Sequence, residues 1–573
     1  MSAPSRCGRP ACPNGPRPDG RHRHLGGRGR GAGRHGPCQR GRHRPRSPKE
    51  HRRVSRSARP DRNRSGGARR AHPGRLVDDR RRPARRRPRR GVRALRLPPR
   101  RGPLKPPRTR EDTSVTDTIT ATRRRRGLLL AGTGAAAVIA LALSAYGLRT
   151  WPTARGVSSG PALWAWTPLA ALLLAQTVLY LCERPHRADA QEQAHLDRLH
   201  VAVLVPVFNE DNGYLRAALS SLLAQTRPPD SVHIVDDGSE LSHRVVRRWW
   251  TAAAREHGIP TTWHRTPNRG KRHAQVLAAR QCPGADVLVT IDSDAQLAPD
   301  ALHEVLQPLA DPRAQAVAGL VLARNNRNGL LSRITDLWYV TCQMVERSAQ
   351  SPLGSVMVAS GSLAAYRADI LTDHAEAYLS ETFMGRPVTF SDDSMLTLYA
   401  LVRGRVVQQP TAVVFTAMPE ELGHHVRQYL RWMHGSSLRS LWRVRYLPAR
   451  HPALTAQLLR WFQQLATTAA LLWLLALHLR PGPLPSPLLV AVPLLLTAGQ
   501  TLRYLVVRRS DQTLRSQLAT WALTPLAMLW SWAVLRPLRW YGAATCWQTG
   551  WGTRQAGAEV RLAAPPPHRP AAV

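Results

Sequence analysis

The 573-residue sequence is poor in cysteine, phenylalanine and acidic residues, and each shortage excludes something. Seven Cys are scattered along the chain. Cys7, Cys12 and Cys38 lie in an Arg-rich N-terminal stretch, Cys182 and Cys546 in or near apolar segments, and Cys282 and Cys342 stand alone. Apart from Cys7 and Cys12, which lack a second half, no pair has metal-site spacing, so neither a zinc framework nor a disulfide scaffold is encoded. Reduced thiols in a cytosol-facing protein are the expectation. Phe occurs five times, and residues 1–114 contain no Phe, Tyr, Trp or Ile. Such a segment cannot bury enough apolar surface to offset its ordering entropy, and disorder is expected for it. The formal net charge of +46 looks like that of a nucleic-acid binder. However, residues 1–114 hold 37 Lys and Arg against 7 Asp and Glu, and the other 459 residues hold 46 against 30. A nucleic-acid or anionic-lipid role therefore rests on the tail alone. The tail also reads as solvated chain without a task and, foremost, as translated sequence upstream of a start at Val115.

What is present begins with apolar runs. Gly127 to Gly147 is uninterrupted and follows Arg123–Arg126; Pro161 to Cys182 follows and ends at Glu183 and Arg184. Runs of about 20 apolar residues suit a bilayer core, and the Arg cluster assigns the start to the cytosol. Residues 127–182 are thus expected to form two transmembrane helices. Residues 421–450 mix Arg with Leu, Trp and Tyr, as interfacial helices do. Leu454–His478 and Leu484–Val507 read as a further hairpin within a C-terminal membrane region, 454–554, and 555–573 as a tail. Gln517–Leu535 contains Pro525 and is expected to be re-entrant or interfacial.

Between these lies a soluble stretch, 196–420. Short β-branched runs at His200–Phe208, His233–Val235 and Val287–Ile291 alternate with helical patterns at Asn212–Ala224, Leu241–Glu256 and Arg272–Gln281. This alternation predicts an α/β, Rossmann-like domain with a mainly parallel sheet and ligand groups at the strand carboxyl ends.

The carboxylates sit where that architecture needs them. Val235 leads into Asp236 and Asp237, and Ile291 into Asp292, Ser293 and Asp294. Asp-x-Asp on an extended chain puts both carboxylates on one side, which suits Mg²⁺ or Mn²⁺ bound with a nucleotide diphosphate. A third pair, Asp392 and Asp393, supplies a base candidate, since transfer to a hydroxyl requires proton removal; it also suits the N-cap of a helix over Met395–Leu401. Gln428, Arg431 and Trp432 form Q-x-x-R-W, with Arg to clamp a diphosphate and Trp to face a sugar, or with both serving a membrane-interface helix.

Nine words run in order: VPVFNED (Val205–Asp211), VDDGS (Val235–Ser239), NRGKRHAQ (Asn268–Gln275), IDSD (Ile291–Asp294), VERSAQS (Val345–Ser351), SGSLAAYR (Ser360–Arg367), SDDSMLT (Ser391–Thr397), QYLRW (Gln428–Trp432) and WGTR (Trp551–Arg554). Over about 350 residues the chain resembles membrane-bound glycosyltransferases of family 2, and among them hyaluronan synthases. The Asp words and Q-x-x-R-W are shared with cellulose and chitin synthases; GKRHAQ and WGTR are closer to hyaluronan synthases. The resemblance implies a glycosyltransferase A-type cytosolic domain joined to an α-helical transmembrane domain in the plasma membrane. It implies uridine held by Asp236 and Asp237, and Lys271 and Arg272 near the donor. Asp292 and Asp294 would hold the metal diphosphate, Asp393 beside Asp392 would be the base, and Trp432 on its Gln428 helix would meet the acceptor sugar. Arg431 and Arg554, the latter beside Trp551, would close over the diphosphate.

The implied partners are UDP-GlcNAc and UDP-glucuronate or another UDP-sugar, the growing polysaccharide and the lipid bilayer, with no nucleic acid. The chain departs from the family pattern at Ser391-Asp392-Asp393-Ser394, where Gly-Asp-Asp-Arg is usual, and at Ala359-Ser360-Gly361-Ser362, where Cys-Ser-Gly-Pro is usual. These changes leave a single-donor synthase making a chitin-like or glucan polymer as the alternative product class. A basic nucleic-acid-binding membrane protein leaves the nine words unexplained.

Overall fold

The computed structural model describes residues 111–481 and 487–549. Trp551, Arg554 and the tails 1–110 and 555–573 lie outside the described residues. Ten strands are present: β1 Val201–Val207, β2 Ser231–Asp236, β3 Thr261–Arg265, β4 Val287–Thr290, β5 Gln296–Leu297, β6 Ala314–Ala323, β7 Ala364–Arg367, β8 Thr382–Phe383, β9 Arg386–Pro387 and β10 Arg405–Thr416. Eight form one sheet in the order β3-β2-β1-β4-β7-β6-β10-β5. The β3-β2-β1-β4 half is parallel, as expected from the alternation. The other half is mixed: β7 runs antiparallel to both β4 and β6, and β5 antiparallel to β10. Ala364–Arg367 is a short alanine-rich strand whose direction no local pattern encodes.

β1 is buried along its whole length, as a strand covered on both faces must be. Val201, Val203, Val205 and Val207 pack on one side with Leu215, Leu219 and Trp250; Ala202 and Leu204 pack on the other with Val276, Tyr366 and Leu396. From β1 the chain builds β2 and β3 outward on one side, then crosses to β4 on the other. That reversal opens a crevice at the carboxyl ends of β1 and β4, where ligands of open α/β sheets bind.

Two helical stretches, 125–154 and Gly160–Cys182, are long and apolar enough to cross a membrane. The expected hairpin takes a different form. Its first helix, Pro452–His478, is long but carries Gln457, Arg460, Gln463, Gln464, Thr467 and Thr468 in its first two-thirds. Its second, Leu488–Thr501, is short and tightens into a 3₁₀ turn at Leu502–Val506. Leu514–Trp521 and Thr524–Ala544 are two apolar pieces bent by 46°, so the 517–535 region is broken, as its composition indicated. Pro525 stands in the first turn of the second piece, where its missing N–H costs no helical bond.

Buried ion pairs join the C-terminal region to the end of the Gly160–Cys182 helix and to the α/β domain. Arg503 meets Glu183 at 3.3 Å, and Arg509 meets Asp336 at 2.6 Å.

Candidate active site

A cavity of about 300 Å³ opens at the carboxyl ends of β1 and β4. Its walls include Phe208, Glu210, Lys271, Asp292, Asp294, Asp392, Asp393, Gln428, Arg431 and Trp432. The sequence places these residues in five separate words; the fold brings them to one hollow.

VDDGS and NRGK form a single device. The Asp237 carboxylate accepts the backbone N–H groups of Arg269 and Gly270, both at 2.8 Å. Gly238 has φ +77°, and a β-carbon there would lie 2.6 Å from the Asn268 nitrogen, so the two loops touch only because this residue is glycine. Asp236 accepts Ser239 N–H at 2.9 Å and lies 3.6 Å from Arg265. Neither Asp236 nor Asp237 lines the cavity. Through its bonds to Arg269 and Gly270, Asp237 shapes the loop that starts the Lys271–Ala279 helix.

Lys271 Nζ lies 2.6 Å from Asp292 Oδ1 and 3.2 Å from Asp392 Oδ2. A β-carbon on Gly361 would sit 3.0 Å from that ammonium, so the SGS word gives Lys271 its room. Arg272 points elsewhere. It donates to the carbonyls of Tyr378 and Phe390 and pairs with Glu381 at 2.8 Å, which makes it a buried brace for the 378–391 segment and not a lining residue. Glu381 also accepts Arg439 and Trp442, a cluster no sequence pattern announced.

Asp292 and Asp294 do not share one side of an extended strand. β4 ends at Thr290, and the two acids lie in a turn closed by Ala295 N–H to Asp292 O at 3.0 Å. Asp292 Oδ2 accepts Ser362 Oγ–H at 2.9 Å, while Asp294 Oδ2 accepts Thr416 Oγ1–H at 2.7 Å. Both still line the cavity. Among the described residues no group of three or more His, Cys, Asp or Glu could hold a metal ion. Two hard oxygen donors at a cavity wall fit a divalent cation that shares its shell with a diphosphate and water, the usual Mg²⁺ arrangement, and do not fit an all-protein cage.

Asp392 and Asp393 are the first two residues of the Asp392–Arg403 helix. The cap position belongs to Ser391, in the left-handed region at φ 58°, and its side chain makes no capping bond. Asp392 is therefore not the N-cap. Burial opposes its ionisation, but Lys271 and Arg272 outweigh that and hold its carboxyl below the usual range. Burial and the adjacent Asp392 charge push Asp393 up. Two neighbouring carboxyls with separated proton affinities form an acid–base arrangement, with Asp393 the stronger base when ionised.

Gln428, Arg431 and Trp432 share the cavity-facing side of the Leu422–Tyr446 helix. Trp432 stacks on Tyr339, with centroids 5.6 Å apart and planes 21° apart, and Tyr429 meets Trp338 edge-on at 5.6 Å. Tyr339 was not foreseen: it sits in a helix whose pattern reads as core. Arg347, Arg443, Arg460 and Arg539 also line the cavity and were hidden among the many arginines of the sequence.

A crevice at the sheet's switch point lined by strand-end carboxylates, a second buried carboxylate pair and an aromatic stack is the site of a nucleotide-sugar transferase. Residues 198–435 match the family described as "Glycosyltransferase like family 2". The hyaluronan synthase of Streptococcus pyogenes is 34% identical over 360 residues, which cover 62% of this chain and 83% of that protein. An N-acetylglucosaminyltransferase of Sinorhizobium fredii is 31% identical over 363 residues, covering 62% and 84%. A solved mannosyltransferase of Pyrobaculum calidifontis is similar over 69% of this chain and 99% of its own, at 23% identity and a TM-score of 0.42. The chain belongs to glycosyltransferase family 2.

Proposed function

We propose that this enzyme polymerises UDP-sugars into a β-linked polysaccharide, hyaluronan built from UDP-GlcNAc and UDP-glucuronate, and passes the product across the plasma membrane. The observation that carries the reading is the position of Asp393, at the wall of a cavity lined by both strand-end acids and by the Trp432–Tyr339 stack. The acceptor sugar lies on the aromatic platform, its hydroxyl towards Asp393. Asp393 takes the hydroxyl proton as the oxygen attacks the anomeric carbon from the face opposite UDP, so the configuration inverts. Asp292 and Asp294 would hold Mg²⁺ or Mn²⁺, which neutralises the diphosphate of the leaving group. Lys271 holds Asp292 and Asp392 in register, and Arg431 lies on the cavity wall within the same Q-x-x-R-W face. Arg554 and Trp551, outside the described residues, would act on the diphosphate, and Asp236 and Asp237 on the uridine side.

Export is supported by the apolar helices and by a polar stripe on the Pro452–His478 helix. Arg460 of this helix lines the cavity, and Thr467 and Thr468 accept from Arg536. The Arg123–Arg126 cluster supports a cytosolic position for the catalytic domain.

Similarity to a rhizobial N-acetylglucosaminyltransferase favours a second reading, a chitin-like synthase using one donor. Purified protein given each UDP-sugar alone and then both decides between them. Hyaluronan synthesis requires both donors and yields a hyaluronidase-sensitive polymer; a long polymer from UDP-GlcNAc alone replaces it with the second reading.

A further inference from the structure

Arg443 is a buried cation with no ion-pair partner among the described residues. It lies on the Leu422–Tyr446 helix, is 1% exposed, and lines the cavity. Its NH1 donates to Gln457 Oε1 at 2.8 Å and its NH2 to the Met357 carbonyl at 2.7 Å, while Nε has no partner. Among the described residues no carboxylate pairs with it. Other buried arginines here are neutralised: Arg439 by Glu381, Arg503 by Glu183, Arg509 by Asp336 and Asp511. A buried guanidinium whose hydrogen-bond partners are all neutral is stabilised by an anion brought into contact with it. Burial, with Arg460 and Arg439 nearby, pulls its pKa down to about 9.

The partners of Arg443 locate it. They come from the Pro452–His478 helix and from Met357, not from the strand ends that carry Asp292 and Asp294. Asp393 is close enough to act on it electrostatically. Arg460, 23% exposed and 3.5 Å from Glu346, lines the same region of positive charge. An anion there lies beyond the transfer point, on the acceptor side. The acceptor carries no diphosphate; the anion a sugar chain can bring is a carboxylate, whose two oxygens match the planar guanidinium fork.

We propose that Arg443, with Arg460 beside it, forms a subsite for the carboxylate of an acidic sugar in the growing chain. The inference rests on the polymerase reading and deepens it: an alternating uronate polymer supplies the missing counter-charge, and a neutral chitin-like polymer does not.

The test uses full-length protein in detergent, UDP-GlcNAc as donor, and two short acceptors: an oligosaccharide ending in a uronate, and the same compound with its carboxyl reduced to an alcohol. The readout is the ratio of kcat/KM for the two. The wild type is expected to favour the acid on the order of 10- to 100-fold, the range of a hydrogen bond to a charged group. Arg443→Gln should bring the ratio near one, and Arg443→Lys should keep an intermediate ratio. A wild-type ratio near one overturns the subsite, as does an Arg443→Gln ratio equal to the wild type's. Weakened UDP binding by Arg443→Gln at an unchanged ratio also overturns it, by assigning Arg443 to the diphosphate. If Arg443→Gln fails to fold, the wild-type and Arg443→Lys ratios decide. Failure of the wild type to transfer to either acceptor, while it still hydrolyses UDP-GlcNAc, is the separate result that sinks the polymerase reading.

Discussion

Lys271 Nζ lies 2.6 Å from Asp292 Oδ1, and the same ammonium reaches Asp392 at 3.2 Å. One cation thus ties the strand-end acid to the first residue of the Asp392–Arg403 helix, leaving Asp393, the next residue, on the cavity wall with its proton affinity raised. Asp393→Asn keeps the side chain's size and removes the base. Polymer synthesis should fall by at least about 100-fold while UDP binding stays near normal. Asp392→Asn removes the charge that raises Asp393. Because the rate is lost as pH falls through the Asp393 pKa, the acid limb of the pH–rate profile should move to lower pH in Asp392→Asn. An acid limb that stays in place would detach the pair from proton transfer.

Arg272 separates structure from catalysis. It braces Tyr378, Phe390 and Glu381 inside the protein. Removing one partner of a buried charge cluster costs about 3–5 kcal/mol. Arg272→Met should therefore lower the melting temperature by several degrees. A fully stable variant with a raised KM for UDP-sugar would instead assign Arg272 to the donor.

Gly435 lies close against the Ser391 side chain, beside Asp392 and Asp393. A β-carbon on Gly435 would lie 2.8 Å from both Cβ and Oγ of Ser391. Gly435→Ala should displace the turn that carries Asp392 and Asp393 and reduce synthesis at least about tenfold, the scale on which misplaced groups act. Ser391→Gly removes both atoms and suits the φ of 58°. Alone it should stabilise the protein by about 1 kcal/mol, and combined with Gly435→Ala it should restore activity. Lack of rescue would show that the alanine acts through another contact.

His233 supplies a stability signature. It is buried in β2 between Ser231 and Thr262, both at 3.0 Å. Burial, with His200 and His264 nearby, holds its pKa to about 4. The unfolded chain takes up this proton near pH 6.5, the folded protein only near pH 4, so the stabilisation is complete above pH 6.5 and lost on acidification. The loss from pH 7 to pH 5 is about 2 kcal/mol. His233→Gln should show a shallower fall in melting temperature over that range; an identical slope would refute the buried neutral histidine.

Residues 1–114 hold neither an apolar span nor a motif of the site. Deleting residues 2–114 should leave membrane insertion and UDP release unchanged, measured by membrane fractionation and by UDP production. Loss of either would give the basic segment a task.

Much of this enzyme was legible in its residues. The buried strands β1, β2 and β4 stood out because consecutive β-branched residues bounded by acids have few other uses. The words around Asp237, Lys271, Asp292, Asp393 and Trp432 named the chemistry through their resemblance, in order, to membrane-bound glycosyltransferases of family 2. A linear pattern carries no information about partners distant in sequence, and those decided the rest. Adjacent Lys271 and Arg272 look alike in the sequence, yet helix rotation sends one to Asp292 and the other to Glu381. Asp236 and Asp237 read as ligands, and only the fold shows that Asp237 also accepts the N–H groups of Arg269 and Gly270, 32 and 33 positions on. The antiparallel β7 depends on strands whose paired residues lie 46 to 50 and 74 to 80 positions away. Arg443 is one of 83 basic residues in the sequence; its unpaired burial exists only once the Leu422–Tyr446 helix has packed against Met357 and Gln457, because a charge is conspicuous only where water has been removed and no counter-charge put in its place.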